Sequence, residues 1–375
     1  MLSDTDRATT LTMEDGAKSR SSYALPRDCH RLPCMPERAI TRPGINFAKI
    51  CVLFLLAALL ASPCLLAQNQ NPLPPSPPPP PTPGAQNQSH AIKNVVDLVV
   101  LHTTVVDEKG NFVPDLSRDN FRVFEDKIEQ KISVFSKEDV PVTMGLVIDN
   151  SGSMKEKRPQ VNEAALSFVR TSNKQDEVFV VNFNDEYYLD LDEDFTSNPA
   201  ELHEALEKID TRGSTALYDA IIGSLDHLKK GHRDKRVLLV ITDGDDDASR
   251  KDFSYTVKAA VESNALIYAV GVFSDEDRKS NKKMIRKSKK DLTTLAEATG
   301  GLAFFPDNLS NVDSVCTEIA RDIRNQYTIG YYPTNTAKDG TFRSVKLELI
   351  PPKGRIKLSV RTRTGYYASK ANPAD

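Results

Sequence analysis

Between Pro141 and Gln326 the apolar positions follow two alternating rhythms. Short apolar runs end at turn residues at Met144–Ile148, Val178–Phe183, Val237–Ile241, Leu266–Val272 and Leu302–Phe305. Runs this short predict buried strands, not helices. Tyr187–Leu191 reads as an antiparallel edge strand. Between the runs, apolar residues recur at three- and four-residue spacing: Val161, Ala164, Ala165, Phe168 and Val169; Leu202, Leu206 and Ile209; Leu217, Ile221, Leu225 and Leu228; Val257–Val261; Leu292, Leu295 and Ala296; Val312, Cys316, Ile319 and Ile323. These spacings predict helices with one apolar stripe each. Alternating strands and helices imply an α/β fold, a doubly wound and mostly parallel sheet covered on both faces.

The rhythm on either side is purely β. Val95–Val106, Phe121–Phe124 and Lys131–Phe135 precede the α/β stretch, with a turn at Asp107–Gly110. Tyr327–Tyr332, Val345–Ile350 and Ile356–Val360 follow it, with a turn at Pro351–Gly354. Neither flank has enough strands to stand alone, whereas together they can bury a shared face. The α/β unit, 141–325, is therefore expected as an insertion in one small all-β unit made of 94–140 and 326–368, before a short tail, 369–375.

Upstream, 1–67 reads as a leader. Arg38, Arg42 and Lys49 precede the apolar run Ile50–Ala61, which continues to Leu65–Ala67 before polar Gln68. That order is the one a secretory signal shows. The long segment ahead of it points to Met35 as a start. Cleavage after Ala67 is expected, and an uncleaved anchor through 50–67 is the alternative, since that run just reaches bilayer length. Residues 68–93 are a proline-rich linker, with Pro72–Pro83 favouring a stiff polyproline spacer. Four of the five cysteines (Cys29, Cys34, Cys51 and Cys64) fall in the leader, which leaves Cys316 on an apolar helical stripe. One cysteine makes neither an internal disulfide nor a zinc cluster.

Composition narrows the function further. The 375 residues are 39% hydrophobic, enough for a sizeable core, and a formal charge of −3 argues against general nucleic-acid binding. A basic run from Asp277 to Lys290 reads as a solvated loop or helix start, with contact to an anionic surface as the sharper alternative.

Candidate chemistry collects where strands end. The run Met144–Ile148 stops at Asp149, and Ser151 and Ser153 follow, so three oxygens occur within five residues on a glycine-bearing loop. Oxygen donors of this kind suit a hard cation such as Mg²⁺. Val237–Ile241 leads into Thr242 and then Asp243. Strand C-termini of a parallel sheet share one edge, and ligands sit there where strand order reverses. Thr215, at a helix start, lies on a loop able to reach the same edge. Taken singly, Ser214 or Thr215 could be a helix cap and Asp243 a turn former.

Asp149-x-Ser151-x-Ser153, then Thr215 in Gly-Ser-Thr-Ala-Leu-Tyr-Asp, then Asp243 in Ile-Thr-Asp-Gly-Asp resemble the metal-ion-dependent adhesion site of von Willebrand factor A domains. The flanks, with Phe121–Asp126, Gln130–Ile132, Gly330–Pro333 and Gly365-Tyr366, resemble a bacterial group of exported proteins related to that family. The resemblance implies that Ser151, Ser153 and Thr215 hold Mg²⁺ or Mn²⁺ directly, with Asp149 and Asp243 acting largely through waters. Neutral hydroxyls leave such a cation under-neutralised, so it favours an acidic ligand from outside.

The function expected from this is an exported (periplasmic, secreted or cell-surface) protein-binding module. Its metal would capture an Asp or Glu of a protein partner, with no catalytic residue and no nucleic acid involved. Two alternatives stand beside it: a structural scaffold without metal-dependent binding, and a metal-dependent hydrolase using Asp149. The second lacks an acid two residues on, where Ser151 stands, and has no histidine near any motif. Asp245, Asp246 and Asp247 follow the site and either raise cation affinity or repel an acidic partner.

Overall fold

The computed structural model describes residues 97–370 apart from 172, 209, 210, 355 and 356. The expectations for the leader, the linker, Val95, Ile209, Ile356 and the end of the tail fall outside these residues. Described strands are β1 (Val99–Asp107), β2 (Phe121–Glu125), β3 (Ile128–Gln130), β4 (Ile132–Ser136), β5 (Val142–Asp149), β6 (Glu177–Phe183), β7 (Tyr187–Leu189), β8 (Lys235–Thr242), β9 (Leu266–Gly271), β10 (Ala303–Phe304), β11 (Tyr327–Tyr331), β12 (Phe342–Leu349), β13 (Leu358–Arg361) and β14 (Gly365–Tyr367). The helices are α1 (Arg158–Arg170), α2 (Pro199–Glu207), α3 (Leu217–Leu228), α4 (Phe253–Glu262), α5 (Asp275–Ser280), α6 (Lys282–Thr299) and α7 (Val312–Arg324).

Six strands form the central sheet in the order β10-β9-β8-β5-β6-β7. All pairings in it are parallel except β6 with β7, so Tyr187–Leu189 is the antiparallel edge strand. Every residue of β5 is buried, as a central strand covered on both faces requires. Alternate side chains serve different cores. Met144, Leu146 and Ile148 face α1 and α7, meeting Phe168 and Ile319, while Val147 lies in the opposite core with Ile221, Leu225 and Leu295. The sheet is doubly wound. Gly145 fits this packing because a Cβ there would stand 2.4 Å from the Phe179 ring and 2.5 Å from Leu238.

The remaining strands make two four-stranded sheets, β13-β1-β11-β4 and β14-β12-β2-β3. Each takes strands from both sides of the α/β unit: β1 pairs with β11, and β2 with β12. Leu101, Val105, Phe121, Val123, Tyr327, Ile329 and Leu347 fill the core between them. Three of its tyrosines are held by long-range hydrogen bonds: Tyr327 donates to the Val113 carbonyl at 2.6 Å, and Tyr331 and Tyr366 both donate to Glu125 at 2.8 Å. In chain order the strands of the central sheet lie between strands of these two sheets.

The basic stretch departs in part from its sequence reading, whereas Cys316 keeps the core position read for it. The basic stretch is mostly helix, split between α5 and α6. Cys316 is buried in the α1/α7 core, where burial pushes its thiol pKa up to about 12, the environment of an inert core cysteine.

Candidate metal centre

Strand order reverses at β5, which lies between β6, the next strand in the chain, and β8. Connections diverge at this point, opening a crevice at the C-terminal ends of β5 and β8. Asp149 is the last residue of β5, and Asp243 follows β8 directly. Beyond Asp149 the chain enters a single 3-10 turn, Gly152–Met154. Met154 is fully buried in the α1 core and pins the far end of the loop, while Ser153 stays exposed.

The loop is held at its other side by the segment carrying Thr215. The Gly152 amide donates to the Gly213 carbonyl at 3.2 Å, and the Arg212 amide to the Asn150 carbonyl at 3.1 Å. Gly213 adopts φ +73°, and a side chain there would collide with Asp185, whose carboxylate accepts the Ser214 amide at 2.7 Å. Helix α3 begins at Leu217 with Ala216 at its cap position, so neither Ser214 nor Thr215 is the N-cap. The Asp247 carboxylate accepts the Thr215 amide at 2.7 Å, and Asp246 accepts the Tyr218 amide at 3.1 Å. Asp246 and Asp247 therefore brace the Thr215 segment, while half-exposed Asp245 pairs with Lys287 at 3.7 Å.

Asp149 is wholly buried. One carboxylate oxygen accepts the Ser151 amide at 2.8 Å and the other the Thr242 hydroxyl at 2.6 Å. Burial, and after it the charge of Asp243, pushes its pKa up to about 6, against the pull of those hydrogen bonds. The Ser151 and Ser153 hydroxyls are hydrogen-bonded to each other, their oxygens 3.1 Å apart. Neighbouring ligands on an octahedral Mg²⁺ at 2.0–2.1 Å lie about 2.9 Å from each other, so this pair fits one small cation. Asn150 Oδ1, on the same loop, is buried without a hydrogen-bond partner. Among the described residues no group of three or more His, Cys, Asp or Glu side chains could hold a metal.

Two cationic side chains of the site escaped the sequence reading. Lys157, 3% exposed, places its ammonium 3.1 Å from Asp243 and 2.9 Å from Asp277. Burial alone would raise the Asp277 pKa, but the hydrogen bonds from Lys157 and Ser274 hold it below the usual value. Arg158 is also buried and donates to Asn182 at 3.1 Å, to the Leu206 carbonyl at 3.1 Å and to the Asp149 carbonyl at 3.4 Å. Burial lowers its pKa to about 10, with the charges of Asp149 and Asp190 opposing. Lys157 and Arg158 follow the serine loop in a charged stretch that the sequence reading passed over. Only the fold turns both inward.

A doubly wound sheet with a hydroxyl-and-carboxylate crevice at its switch point defines the class of this domain. Residues 144–245, which hold all five predicted site residues, match the family described as von Willebrand factor type A domain. Among solved structures it is similar to BatB from Bacteroides thetaiotaomicron at 22% identity, covering 48% of this chain and 97% of that one with a TM-score of 0.39. A von Willebrand factor type A protein from Catenulispora acidiphila is 12% identical, with 73% and 75% covered and a TM-score of 0.44. Proximal thread matrix protein 1 from the mussel byssus, described with a zinc-occupied MIDAS motif, is 16% identical, with 53% and 49% covered and a TM-score of 0.43. Comparison with curated proteins gives no match.

Proposed function

We propose that the chain is an exported binding module whose Ser151, Ser153 and Thr215 hydroxyls hold Mg²⁺ or Mn²⁺. Asp149 and Asp243 act around the ion, and a partner protein supplies an Asp or Glu to complete its shell. The observation that carries this reading is the approach of the two serine hydroxyls to 3.1 Å beside the buried Asp149 at the sheet's switch point. The ion would act as a positively charged anchor for a carboxylate, and the protein's own residues would orient it and exclude water from its inner side. Exposed Lys282, Lys283, Arg286 and Lys287 begin α6, which with α5 leaves the same strand edge, and they add positive charge facing an acidic partner.

The test is capture of partner proteins from the cell surface fraction. Capture should vanish in EDTA and with Asp149→Ala, and should return when Mn²⁺ is restored to the wild type. Equal capture in EDTA would leave the domain a structural scaffold. Export belongs to the same proposal, with mass spectrometry of the native protein finding a chain that begins near Gln68. A native chain found in the cytoplasm with its first 50 residues intact would rule export out.

A further inference from the structure

Lys157 is an unusual neighbour for a cation site. Its side chain is 4% exposed and ends between two carboxylates that belong to different elements. Asp243 follows β8 at the crevice, whereas Asp277 sits in the first turn of α5, outside it. The lysine backbone is fixed as well, since its amide donates to Met154 at 2.8 Å and its carbonyl accepts the Val161 amide at 3.1 Å as α1 begins. The ammonium thus lies where it neutralises the carboxylate that a divalent ion at Ser151 and Ser153 would also draw on. The same loop carries both: Lys157 is four residues beyond Ser153.

Asp277 gives the ammonium somewhere else to go. Its Oδ2 also accepts the Ser274 amide at 2.9 Å and the Ser274 hydroxyl at 2.8 Å, so it is anchored independently of the lysine. If Asp243 turns its charge to an incoming ion, Lys157 keeps an ion pair without returning to water. A buried lysine left with no partner would be far less tolerable.

We propose that Lys157 is a tethered competitor for the divalent cation, lowering its affinity by pairing with Asp243, and that Asp277 is the alternative seat to which the ammonium retires on binding. This rests on the metal-binding reading above and specifies how that site is tuned. A weakly held ion is then retained chiefly when a partner carboxylate joins it. Removing a unit positive charge beside a doubly charged ion changes affinity steeply at protein-like dielectric, by at least about tenfold.

The experiment titrates Mn²⁺ into the full chain, following the free ion by its electron spin resonance signal, for wild type, Lys157→Met and Asp277→Asn. Lys157→Met should bind Mn²⁺ at least about tenfold more tightly. Asp277→Asn, which leaves the ammonium committed to Asp243, should bind more weakly. Opposite directions are the signature, because loss of a merely structural contact would weaken both. Wild-type binding with Lys157→Met unchanged or weaker overturns the inference alone. Should Lys157→Met fail to fold, Asp277→Asn decides, and unchanged or tighter binding there overturns it. Binding by Lys157→Met but not by wild type supports the competitor and leaves the native chain dependent on a partner carboxylate to hold the ion. No binding by either overturns both.

Discussion

Thr242 offers a sharp test of how the site is held, because one hydroxyl does two tasks. It donates to Asp149 Oδ2 at 2.6 Å and accepts the Gly244 amide at 2.9 Å, and the residue is 0% exposed. Thr242→Val keeps the shape and removes both bonds. Losing a donor to a buried carboxylate costs about 2 kcal/mol, and leaving the Gly244 amide unpaired adds about 1 kcal/mol. A destabilisation of about 3 kcal/mol would lower the urea midpoint by about 1 M for a domain of this size. Thr242→Ser keeps the hydroxyl and should lose only about 1 kcal/mol through the missing methyl. Equilibrium unfolding followed by circular dichroism reads both, and Mn²⁺ titration of the same samples should show weaker binding for valine than for serine. If Thr242→Val falls within about 0.5 kcal/mol of wild type, the hydroxyl is not what positions Asp149.

Three further outcomes follow from the packing. Gly145→Ala would press a methyl against Phe179 and Leu238 at 2.4 and 2.5 Å, so a loss of about 1–3 kcal/mol is expected by denaturant titration; a neutral result would mean the sheet relaxes freely. Burial depresses the Lys235 pKa from 10.5 to about 7, so between those values the unfolded chain binds the extra proton and stability rises with pH. Lys235→Met should remove that part of the rise, and superimposable stability–pH profiles for the two proteins would count against it. We also propose that 141–325 folds by itself whereas 94–140 does not, since β1 and β2 find their partners in β11 and β12. Dispersed amide signals from an isolated 94–140 peptide would contradict this.

The sequence by itself determined the fold class and most element positions, because burial on both faces leaves a parallel strand no polar positions. Met144–Ile148 and Val237–Ile241 read as central strands for that reason, and their terminal Asp149 and Asp243 marked the candidate site. The serine loop was equally legible, since Asp149, Ser151 and Ser153 are neighbours in the chain. Thr242 lies beside a marked residue yet carries no signal, as a strand-end threonine is ordinary until its hydroxyl is seen to meet Asp149. The short strand β3 was likewise illegible, being three residues long with only its final Gln130 buried. Asp246 and Asp247 looked like free charges near a cation, and only the loop geometry assigned them to the backbone of Thr215 and Tyr218. Lys157 is the clearest case. In the chain it is one charge in a run of four from Lys155 to Arg158, where solvation is the default. Its burial follows from α5 bringing Asp277 across the mouth of the crevice 120 residues later. Local pattern reports which residues resemble ligands, but the charge that balances them is set by whichever distant element packs against them.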